Sequence, residues 1–295
     1  MLDRINKAVQ DPGLAWAWAY TRLHPRGAAR RGCTLARRAG LTAPVFVLSF
    51  DCDTDADTAV ADALHERLRS GGLSPLYAVA GEVLEAGADN YRAIARDGAV
   101  FLNHGFRRHA ALDDKTGAVT STYFYGDGSR DEWQEDIRRG HEAVGDILGQ
   151  KPDCFRTPHF ASFENPTELS SLWNLLNQLG YRHSSSTRPL FGLRHGPFFT
   201  RAGIVEFPVS GCLGEPGQIL DSWGLVRNGD GTSTRLQAEL RAYLDLMRTG
   251  RPLLLNIYLD PADIAEDAAV VDLLLAFAPF GVRDFAAVLA KAEHV

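Results

Sequence analysis

From residue 43 onward, short apolar runs alternate with longer segments in which apolar residues recur every three or four positions. The runs at 45–50, 75–79, 99–102, 154–155, 181–183, 204–207 and 253–258 are too short for helices and predict strands. The segments at 55–70, 81–96, 131–148, 166–179 and 232–248, and from 262 to the end, carry the helical period. Strands separated by helices of this length imply βαβ units and a mainly parallel sheet. Chemistry in such sheets and barrels gathers at the carboxyl ends of the strands.

The first forty residues follow a different pattern. Leu2, Ile5, Val9, Leu14, Trp16, Trp18 and Tyr20 stand among basic and small residues and are interrupted by Asp11-Pro12-Gly13, which predicts two short amphipathic helices. The Arg-, Gly- and Ala-rich stretch 25–40 reads as a connector. The division expected is a helical, basic extension over 1–43 and a catalytic domain over 44–295.

Charge sharpens this contrast. Residues 1–40 hold eight basic residues against Asp3 and Asp11, giving +6, so the net charge of -6 leaves -12 on the remainder. A basic segment bearing tryptophans suits an anionic membrane surface, the alternative being an extra helix packed on the barrel. The acidic body, with no basic stacking surface, argues against nucleic acid. No apolar run reaches about 18 residues, and the start lacks the apolar core of a secretory signal. Cys33, Cys52, Cys154 and Cys212 show no C-x-x-C spacing, which suggests reduced thiols. A cytoplasmic chain, peripheral at the inner membrane face, is the resulting expectation.

Three segments carry candidate chemistry. Asp51 and Asp53 follow an apolar strand, and in extended chain two residues one apart point to the same face. Like charges so close favour a cation on one and a base role for the other, although both also suit a helix cap. His104 and His109 follow the strand at 99–102. Five residues apart on a regular helix they diverge by about 140°, so only a loop or a π-bulge brings them to one ion. Arg156 ends the strand at 154–155 ahead of Thr157-Pro158-His159-Phe160, and its planar guanidinium suits a carboxylate such as Asp51.

Together these segments resemble the motifs of the polysaccharide deacetylase family, the NodB-homology domain of carbohydrate esterase family 4. Ser49 to Asp53, Asn103 to His109 and Phe155 to Pro158 carry the resemblance, which covers roughly residues 44 to 292. It implies an α/β fold, a distorted (β/α) barrel of about seven strands, here with an added N-terminal helical segment. It also implies Asp51 as catalytic base, Asp53, His104 and His109 as ligands of a divalent metal ion such as zinc (cobalt and manganese are alternatives), and Arg156 as the residue holding the base.

The chain departs from the family pattern in two places. The second-motif histidines are separated by four residues instead of three. The late strand that ends in a general-acid histidine reads Leu253-Leu254-Leu255-Asn256-Ile257-Tyr258, with Tyr258 or Asn256 in that place. Tyr258, His159 and His183 are the candidate acids. Trp223 resembles the family's aromatic wall, and Pro158, Phe160 and His183 join it as candidate substrate contacts. The expected reaction is removal of an N-acetyl or N-formyl group from an amino sugar of a glycan or of a lipid-linked or nucleotide-linked intermediate. The alternative is a degenerate member that binds glycan without turnover.

Overall fold

In the computed structural model, which describes residues 11–113, 118–160, 162–163, 165–282 and 285–290, seven parallel strands surround the candidate site. In chain order the strands are β1 (Pro44–Cys52), β2 (Leu76–Val79), β3 (Val100–Asn103), β4 (Ala110–Leu112), β5 (Val119–Ser121), β6 (Cys154–Arg156), β7 (His183–Ser185), β8 (Phe199–Arg201), β9 (Ile204–Glu206) and β10 (Leu253–Leu259). The main sheet runs β10-β1-β2-β3-β6-β7-β9-β8, with only β8 antiparallel to its neighbour. Strands β4 and β5 form a separate hairpin that the hydrophobic pattern did not predict.

The helices are α1 (Pro12–Leu23), α2 (Pro25–Arg38), α3 (Asp55–Ser70), α4 (Gly81–Ala86), α5 (Ala88–Arg96), α6 (Arg130–Leu148), α7 (Pro166–Gln178), α8 (Pro189–His195), α9 (Thr234–Arg248), α10 (Pro261–Ile264), α11 (Ala268–Leu275) and α12 (Phe285–Ala290). Capping boxes open three of them: Thr54 with Asp57, Ser129 with Glu132, and Asn165 with Glu168. The single helix expected over 81–96 is split at Gly87, which ends α4 and begins α5. The expected connector at 25–40 is instead the helix α2. Proline at its first turn and a run of Ala and Arg favour that outcome, and Ala28, Cys33 and Ala36 give it a buried stripe. The first of the two predicted N-terminal helices lies outside the described residues, and α1 is the second.

Alternation along the strands sets the barrel interior. Phe46, Leu48 and Phe50 of β1 face the outer helices in a cluster with Tyr77, Leu255 and Phe277. Val47 faces inward with Leu76, Leu102, Cys154, Val205 and Leu254. Following the inward faces toward the carboxyl ends, Val47 gives way to Ser49 and Asp51, Leu254 to Asn256 and Tyr258, and Cys154 to Arg156. The interior therefore passes from an apolar floor to a polar mouth.

The barrel is not closed by a strand ladder, since β10 is an edge of the sheet. Asn256 bridges the gap. Its backbone carbonyl accepts from Ser210 N at 2.7 Å, and its N–H donates to Ser210 Oγ at 3.0 Å. Its side-chain amide donates to the carbonyls of Phe207 at 3.2 Å and Pro208 at 3.1 Å. Asn256, one of the two residues in the register of the late histidine, thus holds the seam. Replacing it by leucine strands two buried carbonyls, and urea unfolding of Asn256→Leu is expected to show a loss of about 2–4 kcal/mol.

Candidate metal centre

Asp51 occupies the last inward position of β1, and Asp53 lies one residue past the strand. Both carboxylates face the same imidazole: His104 Nε2 is 3.3 Å from Asp53 Oδ1 and 3.8 Å from Asp51 Oδ2. The other nitrogen of that ring, Nδ1, lies 2.9 Å from the Arg156 backbone carbonyl. A carbonyl can only accept, so Nδ1 carries a hydrogen, and in the neutral ring the Nε2 lone pair faces the carboxylates.

The segment 104–109 is a loop, which resolves the five-residue spacing without any π-bulge. Gly105 turns it with φ of +75°, where a side chain would meet Tyr125 Oη and the Asp136 carboxylate. Asn103 Oδ1 accepts from Gly105 N at 2.9 Å. Asp136 of α6 accepts from Phe106 N at 3.1 Å, Arg107 N at 3.0 Å and Tyr125 Oη at 2.8 Å. So pinned, the loop folds His109 back until its Nε2 lies 2.6 Å from the His104 carbonyl, with the two rings edge to face at 4.9 Å. Nε2 therefore carries the hydrogen, and His109 Nδ1 is left buried without a partner.

Asp53 Oδ1 is likewise buried without a hydrogen bond. One ligand atom each from Asp53, His104 and His109 lie within 4.8 Å of one another. One carboxylate and two imidazoles with free lone pairs, each ring oriented by a backbone carbonyl, fit a zinc-like cation with positions left for water and substrate. The titration of Asp53 and His109 suits ligation. Burial drives the His109 pKa down to about 3, keeping the ring neutral. For Asp53 burial opposes ionisation, but the nearby His104 imidazole, with His109 and His159 beyond, brings the carboxyl below its usual range. His104 shows the opposite balance: burial lowers it, and Asp51 and Asp53 raise it above the ordinary imidazole value.

Arg156 is wholly buried. Its Nη1 donates to Asp51 Oδ1 at 2.9 Å and its Nη2 to Ser49 Oγ at 2.9 Å, while Ser49 Oγ donates to the Ile257 carbonyl at 3.1 Å. The guanidinium carbon lies 5.3 Å from the Tyr258 ring and 5.6 Å from the Phe160 ring, and those rings stack at 5.3 Å. Burial raises the Asp51 pKa, an effect that Arg156 and then His104 counter.

The remaining expected residues are placed unequally. His159, at φ of +50°, stacks on Phe124 at 4.4 Å and stands 6.0 Å from the His109 ring, with Nε2 buried and unpartnered. Pro158 is buried beside it. Tyr258 donates from Oη to Asp221 Oδ2 at 2.7 Å. Trp223 is half-buried at the start of a π-helical turn, Trp223–Arg227, with Arg227 5.0 Å from its ring. His183 requires a correction. The expected strand ended at this residue, but β7 begins there, so His183 lies at the amino end of the strand, paired with Asp153 Oδ2 at 3.7 Å, away from the carboxyl-end site.

Asp136 and Asp221 were not singled out from the sequence, and Asn103 was given no role beyond its place in the second motif. Asp136 did leave a signal, since an acid among Trp133, Ile137, Gly140 and Val144 stands on the buried face of α6.

An α/β barrel thus brings a carboxylate and two histidines together at its mouth, beside a buried aspartate–arginine pair. Residues 39–184 match the family model described as polysaccharide deacetylase. Among solved structures, it is similar to a candidate polysaccharide deacetylase from Mycobacterium smegmatis, with 19% identity and a TM-score of 0.63 over 86% of this chain and 91% of that one. It is also similar to the peptidoglycan deacetylase PdaC from Bacillus subtilis, with 12% identity, a TM-score of 0.52 and coverage of 85% and 93%. A polysaccharide deacetylase from Bacillus cereus aligns with 14% identity, a TM-score of 0.50 and coverage of 82% and 93%. At these identities the likeness is one of fold. No curated protein matches by sequence.

Because Asp136 holds the loop through three hydrogen bonds, Asp136→Ala is expected to cost about 3 kcal/mol in thermal or urea unfolding. It should also weaken zinc binding in calorimetric titration by about tenfold or more.

Proposed function

We propose that this chain is a metal-dependent N-deacylase of an amino sugar, with the cation held by Asp53, His104 and His109. The convergence of those three ligand atoms beside the Asp51–Arg156 pair carries the reading. Held by this N,N,O donor set, a divalent cation such as zinc would lower the pKa of water to about 7 and polarise the amide oxygen. Asp51 is the base. Arg156 occupies its Oδ1, which leaves Oδ2 toward the site, and burial makes the carboxylate a stronger proton acceptor than an exposed one. Tyr258 and His159 are the candidate acids for the departing amine. Pro158, Phe160 and Trp223 supply apolar and aromatic surface for the sugar.

The competing reading, glycan binding without turnover, draws support from the late strand, where Tyr258 stands in the place of a histidine and has its hydroxyl engaged by Asp221. Release of acetate or formate from a panel of N-acylated amino sugars with added zinc, cobalt or manganese decides between them. The wild type is expected to release acid and to hold about one ion per chain by elemental analysis. Asp53→Asn is expected to lose both. Full metal content in that variant overturns the ligand assignment, and bound metal without release favours the binding reading.

The substrate proposed is a lipid-linked or nucleotide-linked sugar handled at the inner face of a membrane. Among the described residues no helix is long and apolar enough to cross a membrane, so contact would be at the surface. Trp16, Trp18 and Leu23 of α1 are 46%, 50% and 74% exposed, next to exposed Arg22, Arg26 and Arg30. Exposed tryptophan and leucine among arginines favour an anionic lipid surface. The full chain is expected to co-sediment with vesicles containing phosphatidylglycerol, and the triple variant Trp16→Ser/Trp18→Ser/Leu23→Ser to lose at least tenfold in affinity. Equal sedimentation of both proteins removes the membrane from the proposal.

A further inference from the structure

Between the end of α1 and the outer face of α2 lies a groove of about 1050 Å³, whose lining includes Tyr20, Leu23, His24, Arg26, Arg30 and Arg38. The buried stripe of α2, Ala28, Cys33 and Ala36, points the other way, into the fold. Arg30, Thr34 and Arg38 follow one another at four-residue intervals along the groove, so its floor runs about 12 Å along the helix axis. Leu23, 74% exposed, stands at its α1 edge, one turn or so from the exposed indoles of Trp16 and Trp18. One wall is therefore cationic and the other apolar.

The positive charge in this groove is unmet. The sequence of α2 contains Arg26, Arg30, Arg31, Arg37 and Arg38 and no acid. Arg37 and Arg38, in its last turn, suit the helix dipole, whereas Arg26, in its first turn, opposes it. Arg26 and Arg30 are in addition like charges one turn apart, a repulsive pair. Arg31 is committed to the fold, with its Nε donating to the Leu193 carbonyl at 2.6 Å and its guanidinium 4.6 Å from the Trp16 ring. Among the described residues no carboxylate pairs with Arg26, Arg30 or Arg38. Residues 1–10, with Arg4 and Lys7 against Asp3, are net basic by sequence and bring no countercharge. The start of α2 also lacks a side-chain cap, since His24 makes no such hydrogen bond, and uncapped amides at a helix start favour an anion.

Resting on the membrane reading of α1 and independent of the hydrolytic chemistry, we infer that this groove is a binding site for the terminal phosphate of a lipid. A phosphomonoester carries about −1.5 to −2 charges at neutral pH and three acceptor oxygens, enough to engage more than one guanidinium in paired hydrogen bonds. Arg26, Arg30 and Arg38 supply those donors, and Leu23, Tyr20 and Leu35 supply apolar surface for the chain that the phosphate terminates. A nucleic acid would meet the same guanidiniums but not the exposed leucine and indoles beside them, and the rest of the chain is acidic. The groove thus selects a headgroup, where the tryptophans of α1 select only a surface.

The test separates headgroup recognition from attraction to any anionic surface. Co-sedimentation of the full chain is measured on vesicles of phosphatidic acid and of phosphatidylglycerol, each mixed with phosphatidylcholine to the same surface potential. The first lipid ends in a phosphomonoester and the second presents only a phosphodiester. Affinity is expected to favour phosphatidic acid by about tenfold or more in the wild type, and the preference to vanish in Arg30→Gln/Arg38→Gln with melting temperature retained. Arg22→Gln/Arg37→Gln, which removes the same charge outside the groove, is expected to weaken binding to both vesicles and keep the preference. Equal affinity of the wild type for the two vesicles, or a preference that survives in Arg30→Gln/Arg38→Gln, overturns the headgroup site and leaves the membrane reading standing. Calorimetric binding of inorganic pyrophosphate with no preference between vesicles assigns the groove to a soluble anion and overturns the lipid as its occupant. Sedimentation with neither vesicle removes the membrane reading and the headgroup site together.

Discussion

A guanidinium buried inside a barrel is tolerable only if its charge is met, and the Asp51–Arg156 pair is the constraint on which the mouth of this barrel depends. An uncompensated charge there would cost several kcal/mol, more than most single contacts return. Arg156 meets that demand with Asp51 at 2.9 Å, Ser49 at 2.9 Å and the faces of Tyr258 and Phe160. Strands β1 and β6 are not neighbours in the sheet, so the pair spans the mouth and ties together walls that no ladder joins. The same residue also reaches the ligand set, because its backbone carbonyl fixes the His104 ring. Asp51 and the His104 ring are therefore oriented by one residue, through two of its groups.

The histidine loop extends this logic. His109 reaches the cluster because Gly105 takes a left-handed turn and Asp136 satisfies two backbone N–H groups that would otherwise be stranded beneath it. With Nε2 committed to the His104 carbonyl, His109 presents Nδ1, and a longer loop remains compatible with a compact donor set. A spacing that looks unfavourable on a helix costs little in a loop whose N–H groups from Gly105 to Arg108 each find an acceptor.

Much of the fold was legible because the inward and outward faces of a strand alternate strictly. The parallel strands and the helices between them follow from the hydrophobic pattern, and the positions of Asp51 and Arg156 at strand ends follow from the same alternation. The failures have local causes. Strand β7 is two residues out of the expected register, and that shift moves His183 from the carboxyl end of the strand to the amino end beside Asp153. The Arg- and Ala-rich segment 25–40 lacks large apolar residues, so its helix was hidden; a stripe of Ala28, Cys33 and Ala36 buries it without leaving a strong signal. The β4–β5 hairpin is too short for periodicity to reveal.

By itself the sequence determined which side chains enter the barrel and at which end they lie, because pleat and helical period are properties of the local chain. It also determined the donor types available there, one carboxylate and two imidazoles. Only the tertiary structure decided the tautomers of His104 and His109, the role of Asn256 as a seam, and the pairing of Tyr258 with Asp221. Each of those depends on a backbone carbonyl or a carboxylate brought from tens of residues away, or, for His109, on the fold of its own loop. Neither is encoded in any spacing along the chain.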